Sequence, residues 1–113
     1  MTKNQLNFEE LFALIAEKKK QKDKNSYTSL LLNGGDEAIC RKVGEEAIEV
    51  VIAAFVNSKK SSKKTREELV GEVCDLFYHS LVLLASHDIE LSEIFAEFSR
   101  RNSVKTDKKI KKK

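Results

Sequence analysis

Proline is absent from this 113-residue chain, and glycine occurs only four times. A many-stranded β protein needs turn residues roughly every 8–12 positions. That class is therefore excluded, and helices, long ones included, are the default. The only cysteines, Cys40 and Cys74, lie far apart, outside any CxxC pattern and without Cys or His companions. This spacing argues against a structural zinc site and leaves two reduced, buried thiols as the expectation. No apolar run approaches the roughly 18–20 residues that span a bilayer, and the first residues lack the apolar stretch of a signal peptide. A soluble, cytoplasmic protein with no membrane partner is expected.

Charge is plentiful but unevenly placed. Charged residues make up 35% of the chain and the net charge is +3. Six lysines and one aspartate give residues 103–113 a charge of +5, so residues 1–102, with 15 basic and 17 acidic side chains, carry −2. The basicity belongs to a tail, and a nucleic-acid-binding domain gains little support from it. The expected organisation is one helical domain over residues 1–102 and a basic, disordered tail over 103–113. A hydrophobic content of 41% suffices for a single core.

Four helices can be read from apolar periodicity. The first covers about 7–20, with Phe8, Leu11, Phe12 and Ile15 on one stripe and a capping box from Asn7 to Glu10. After a polar stretch and a short apolar run, Leu30–Leu32, the chain breaks at Asn33-Gly34-Gly35, and Asp36 is the expected N-cap of the second helix, about 36–57. Ile39, Val43, Ala47, Val50 and Ala54 trace its apolar face. A solvated loop, Asn57–Lys64, leads to a third helix of about 66–86, capped by Thr65 with Glu68. The second half of this helix is apolar almost all round, so it must be buried by neighbours or by a second subunit. A fourth helix, about 91–101, carries Ile94, Phe95 and Phe98.

The chemistry lies in the two central helices. Glu45-Glu46-Ala47-Ile48-Glu49 puts Glu46 and Glu49 on one face, with Lys42 a turn earlier; Glu72-Val73-Cys74-Asp75 repeats the pattern. Both pairs are flanked by apolar sequence, so the acidic stripe runs into the core instead of facing water. Carboxylates packed between helices repel one another and lose hydration, which costs several kcal/mol or more unless a proton or a cation compensates. Arg41 and Lys42 are too few to neutralise five acids. All-oxygen ligation without a Cys or His pair selects a hard divalent ion, Mg²⁺ first and Mn²⁺ second, and Mg²⁺ held this way binds substrate phosphates. A single ExxE pair on a helix is usually just solvated; two on consecutive helices within apolar sequence are a stronger signal.

These motifs resemble the all-α NTP pyrophosphohydrolase (MazG-like) superfamily, with 22 residues between Glu49 and Glu72. Ser26-Tyr27-Thr28, then Lys42-Val43-Gly44-Glu45-Glu46, then Asp75-Leu76-Phe77-Tyr78-His79, in that order, look like the phosphoribosyl-ATP pyrophosphohydrolase family of histidine biosynthesis. The resemblance covers about residues 6–101. It implies a four-helix MazG-like bundle completed by homodimerisation. It also implies Mg²⁺-dependent hydrolysis of the α–β phosphoanhydride of 1-(5-phosphoribosyl)-ATP to phosphoribosyl-AMP and pyrophosphate. Glu46, Glu49, Glu72 and Asp75 match the metal-binding positions, and Glu45 matches an adjacent acid that could be ligand, supporting group or base; the general base is expected to be Glu49 or Glu45.

Other positions stay open. Lys42 is either a phosphate contact or an ion-pair partner of Glu46. Ser26, Tyr27 and Thr28 either bond phosphate or ribose, or form the start of a helix. Arg100 and Arg101 suit a helix C-terminus, and the resemblance implies that one, here Arg101, reaches the substrate's phosphates. His79 reads as a structural hydrogen-bonding histidine. Lys18-Lys19-Lys20 stands where relatives have an arginine-led basic pair, and no cyclohydrolase domain accompanies the motifs, so a separate protein is expected to perform the next step. The competing functions are a house-cleaning pyrophosphohydrolase acting on dUTP, dCTP or modified nucleotides, and a non-enzymatic helical dimerisation module.

Overall fold

The structure, a computed structural model, describes residues 5–104, and helix is the only regular element among them. The elements are α1 (Phe8–Gln21), α2 (Tyr27–Gly34), α3 (Asp36–Lys59), α4 (Lys63–Ser86) and α5 (Leu91–Ser103). The all-α expectation holds, and the four helices read from periodicity are present as α1, α3, α4 and α5. The tail expected to be disordered lies, from residue 105 onward, outside the described residues.

α1 starts as its sequence dictates. Asn7 Oδ1 accepts from the Glu10 N–H at 2.8 Å, and the Glu10 carboxylate accepts from the Asn7 N–H at 3.1 Å. This reciprocal box satisfies two of the backbone donors that a helix start leaves open. Asn7→Ala is expected to cost about 1 kcal/mol of folding stability, measured as a shift in urea midpoint at unchanged slope. At its far end α1 is tied to α4 by Lys19, whose Nζ donates to the Ala85 carbonyl at 3.1 Å and pairs with Asp88 at 2.6 Å. The Lys19 ammonium holds the Asp88 carboxyl below its ordinary value.

Several boundaries differ from the sequence reading. The run around Leu30–Leu32 is a helix of its own, α2, capped by the Ser26 hydroxyl, which accepts from the Ser29 N–H at 3.1 Å. Gly35, not Asp36, caps α3: it sits at φ +99°, where a side chain would be strained, so Asp36 becomes the first helical residue. α4 begins three residues earlier than expected. Ser62 and Thr65 exchange backbone-to-hydroxyl bonds at 2.8 and 3.1 Å, replacing the expected Thr65–Glu68 box and shortening the loop to residues 60–62. Both cysteines are free and exposed, contrary to the expected burial. Cys40 follows the fully buried Ile39 by one residue, a turn of about 100° that carries it to the outer face.

The short 60–62 loop makes α3 and α4 an antiparallel hairpin, the most extensive packing in the molecule. α1 and α2 cover only one end of it. The core there comprises Phe12 and Ile15 of α1, Leu31 and Leu32 of α2, Ile39 of α3, Leu81, Val82 and Ala85 of α4, and Leu91. By length and composition α4 could cross a membrane, yet it is the helix against which α1, α2 and α3 all pack. It also carries Glu72, Asp75 and His79.

The far half of the hairpin projects beyond this core. On α3, Ile48, Val51, Ile52 and Phe55 recur at i, i+3, i+4 and i+7, and all are exposed, Phe55 to 66%. Val70 and Phe77 of α4 are exposed as well, so the burial expected for its apolar girth is only partly met within one chain. α5 packs lightly on the rest, with Phe95 and Phe98 open to solvent.

Candidate active site

The acids sit at the middle of the hairpin, where the covered end meets the projecting half. Spacing of three along each helix aims each pair across the α3–α4 seam. One carboxylate oxygen from each of Glu46, Glu72 and Asp75 lies within 4.8 Å of the others. Glu49 joins them beside Glu72. The neighbouring Glu49 carboxyl, followed by desolvation and by the charges of Asp75 and Glu46, holds the Glu72 carboxyl above its ordinary value.

Glu46 is buried, and its Oε1, like Oε1 of Glu72, is shielded from solvent with no hydrogen-bond partner among the described residues. A buried, unpartnered carboxylate oxygen is costly. Two of them on residues of one cluster of oxygen donors fit a hard divalent cation. A groove of about 300 Å³, lined by Glu49, Ile52, Ala53, Val56, Glu68 and Glu72, opens beside the cluster.

Around the acids lies a second layer. Lys42 Nζ stands 3.5 Å from Glu46 Oε2 and 3.8 Å from Glu45 Oε1. Its pKa is raised, first by Tyr27 and then by the two carboxylates, against the opposing effect of desolvation. One ammonium cannot balance the cluster. Tyr27 reaches over from the first turn of α2, with its hydroxyl 2.9 Å from His79 Nε2. His79 Nδ1 is 3.0 Å from the Asp75 backbone carbonyl and 4.0 Å from Glu46 Oε2.

The structure thus brings together Lys42, Glu45, Glu46, Glu49, Glu72, Asp75 and Tyr27. The hydroxyls of Ser26 and Thr28 are engaged within the fold: Ser26 caps α2, and buried Thr28 bonds the Tyr78 hydroxyl. Arg101 lies on α5, donating from Nε to Glu97 Oε2 at 3.0 Å, while Arg100 grips the same carboxylate with two bonds. These guanidinium groups depress the Glu97 carboxyl to a pKa of about 2. Sequence reasoning passed over Glu68 as a groove residue, although it precedes Glu72 by one helical turn. His79, expected as a structural hydrogen-bonding histidine, is buried and bonded to Tyr27 and to the Asp75 carbonyl.

Residues 8–102 match the family described as phosphoribosyl-ATP pyrophosphohydrolase. The chain belongs to that family. Among curated proteins, the phosphoribosyl-ATP pyrophosphatase of Bacillus thuringiensis (strain Al Hakam) is 43% identical over 95 residues, covering 84% of this chain and 82% of its own length. That of Geobacter metallireducens is 47% identical over 91 residues, covering 80% and 77%. That of Clostridium acetobutylicum is 38% identical over 109 residues, covering 96% and 92%. The resemblance read from the SYT, KVGEE and DLFYH strings is therefore matched over nearly all of the described residues. The acidic cluster lies well inside the segment shared with the phosphoribosyl-ATP pyrophosphohydrolase family.

Proposed function

We propose that this chain hydrolyses 1-(5-phosphoribosyl)-ATP to 1-(5-phosphoribosyl)-AMP and pyrophosphate, the second step of histidine biosynthesis, with Mg²⁺ as cofactor and Mn²⁺ as a possible substitute. Family membership supports the reaction. The observation that carries the metal is the orphaned pair of buried oxygens, Glu46 Oε1 and Glu72 Oε1, on two of the three acids whose carboxylates gather within 4.8 Å. Glu46, Glu49, Glu72 and Asp75 would hold Mg²⁺, which when bound supplies positive charge against the departing diphosphate.

The chain's own residues do the rest. Lys42 is a point charge at the rim of the cluster, placed to contact a phosphate oxygen. Its pairing with Glu46 at i+4 holds it there, so the ion-pair and phosphate-contact readings describe one arrangement. Glu49 lines the groove, whereas Glu45 faces Lys42, so Glu49 is better placed to take the proton of an attacking water. Arg101 would add a phosphate contact from α5. A homodimer belongs to the same reading, supported by the exposed Ile48–Phe55 stripe. A cytoplasmic location belongs to the same reading.

Pyrophosphate release should be compared for phosphoribosyl-ATP and a panel of dUTP, dCTP and ATP in the presence of Mg²⁺. We expect kcat/KM to favour phosphoribosyl-ATP by about 10²-fold or more, as expected where a site pairs with polar groups that competitors lack. Preference for a plain triphosphate would transfer the chain to the house-cleaning class.

A further inference from the structure

α2 has eight residues, fewer than the roughly 12–15 at which an isolated helix holds together in water. Its place on the molecule is therefore set by what its side chains grip. Two of its first three residues, Thr28 and Ser29, are buried hydroxyls. Ser29 Oγ donates to the Lys18 carbonyl at 2.6 Å and accepts from the Asp23 N–H at 3.1 Å, which ties α2 back to the end of α1. Thr28 is hydrogen-bonded to the Tyr78 hydroxyl of α4. Tyr78 is a firm anchor, because its ring packs against the hydrophobic core. Next to Thr28, Tyr27 is 52% exposed, yet its hydroxyl stands 2.9 Å from His79 Nε2. His79 in turn lies against the acids, with Nδ1 4.0 Å from Glu46 Oε2. Consecutive residues of α2 thus meet consecutive residues of α4, Tyr27 with His79 and Thr28 with Tyr78. Neither pairing depends on which atom donates.

We infer that Tyr78 is a positioning residue: its bond to Thr28 fixes the first turn of α2 across α4 and so holds the exposed side of Tyr27 at the edge of the acid cluster, where it meets the bound nucleotide. The inference rests on the function proposed above. Thr28 is buried and Tyr27 is not, so the Thr28–Tyr78 bond is the better shielded of the two and the stronger restraint. Without it α2 lies in place for a smaller fraction of the time. Apparent substrate affinity then falls by that fraction, while the chemical step in chains that do bind is unaltered. A bond that served folding alone would change stability and leave binding untouched.

Two measurements on the full chain test this. In hydrogen exchange without metal, Tyr78→Phe should speed the α2 amides about 3- to 10-fold, the loss of one neutral hydrogen bond, and leave the α3–α4 hairpin unchanged. Equal α2 rates in variant and parent overturn the proposal, whichever substrate the protein hydrolyses. In steady-state assays with phosphoribosyl-ATP, Tyr78→Phe should raise KM about 3- to 10-fold, with kcat falling less than about threefold. Thr28→Ser, which keeps the hydroxyl, should return the parent's KM. An unchanged KM in Tyr78→Phe overturns the proposal as well. The double variant Thr28→Val/Tyr78→Phe separates positioning from folding. It removes the unsatisfied hydroxyl that Tyr78→Phe leaves behind, so its melting temperature should return toward the parent's. An apolar contact is non-directional and does not fix the angle of α2, so KM should stay raised. Recovery of KM together with melting temperature would make the bond purely structural and overturn the proposal. A parent inactive on phosphoribosyl-ATP would count against the proposed function instead, and the exchange rates would still decide whether Tyr78 restrains α2.

Discussion

Glu72→Gln is expected to stabilise the metal-free protein while lowering pyrophosphate release by about 10²-fold or more. Loss of a supporting partner of a metal ligand already costs roughly 10- to 100-fold, and loss of a ligand should cost no less. The stabilisation follows from the crowding of Glu46, Glu49, Glu72 and Asp75. The folded state holds the Glu72 carboxyl above its ordinary value, through the neighbouring Glu49 carboxyl and then burial and the other charges. Folded protein therefore binds this proton more readily than unfolded protein. The Glu72 contribution to metal-free stability should be fully present below the ordinary carboxylate pKa and should be lost as pH rises from there through the raised folded value.

At neutral pH the parent carries the full repulsion and the Gln variant does not. Mg²⁺ should reverse the order. At about 100 times its Kd a ligand specific to the folded state adds about 2.7 kcal/mol, and the variant should lose most of that gain. Thermal melts with EDTA and with Mg²⁺, from pH 4 to 8, measure both effects. If parent and variant melt alike in every condition, the acids are solvated decoration and the chain behaves as a simple helical association module.

The double variant Ile52→Glu/Phe55→Lys is expected to convert the proposed homodimer into single chains of 12.9 kDa. Burying one large apolar side chain contributes about 1.5–3 kcal/mol. Two such residues on each of two protomers therefore account for several kcal/mol, enough to raise the dissociation constant by orders of magnitude. Sedimentation velocity at micromolar concentration reads the change directly. A parent that already sediments as a single chain would leave the exposed α3 stripe without the proposed partner. The double variant touches none of the four acids proposed to hold the metal, although Ile52 borders the same groove as Glu49 and Glu72.

The acids were legible in the sequence for a simple reason. An i, i+3 pair lands on one helix face wherever the helix begins or ends, so errors of a few residues at the start of α4 did not displace Glu72 or Asp75. The caps were less legible because they depend on single backbone angles. Gly35 displaces Asp36 through a positive φ, and Ser62 displaces Thr65 because its hydroxyl sits one turn earlier. α2 was missed since its eight residues are too few to show a period, and with it went the means of seeing what Tyr27 touches. The contact between Tyr27 and His79 exists only once α2 is a helix laid across α4. The cysteines misled because a small, apolar residue type suggests burial, whereas position on the helix decides it.

Gly35 also governs where this chain can tolerate changes of length. It alone separates α2 from α3, so there is no slack between the helix that delivers Tyr27 and the helix that delivers Lys42 and Glu46. One residue inserted there would change how α2 is set against α3 and so displace Tyr27 from the acids. The connections at 60–62 and 87–90 could absorb extra residues at small entropic cost. Natural variants should therefore differ in size at those two bends and keep a single residue at the hinge-like joint beside the acidic seam.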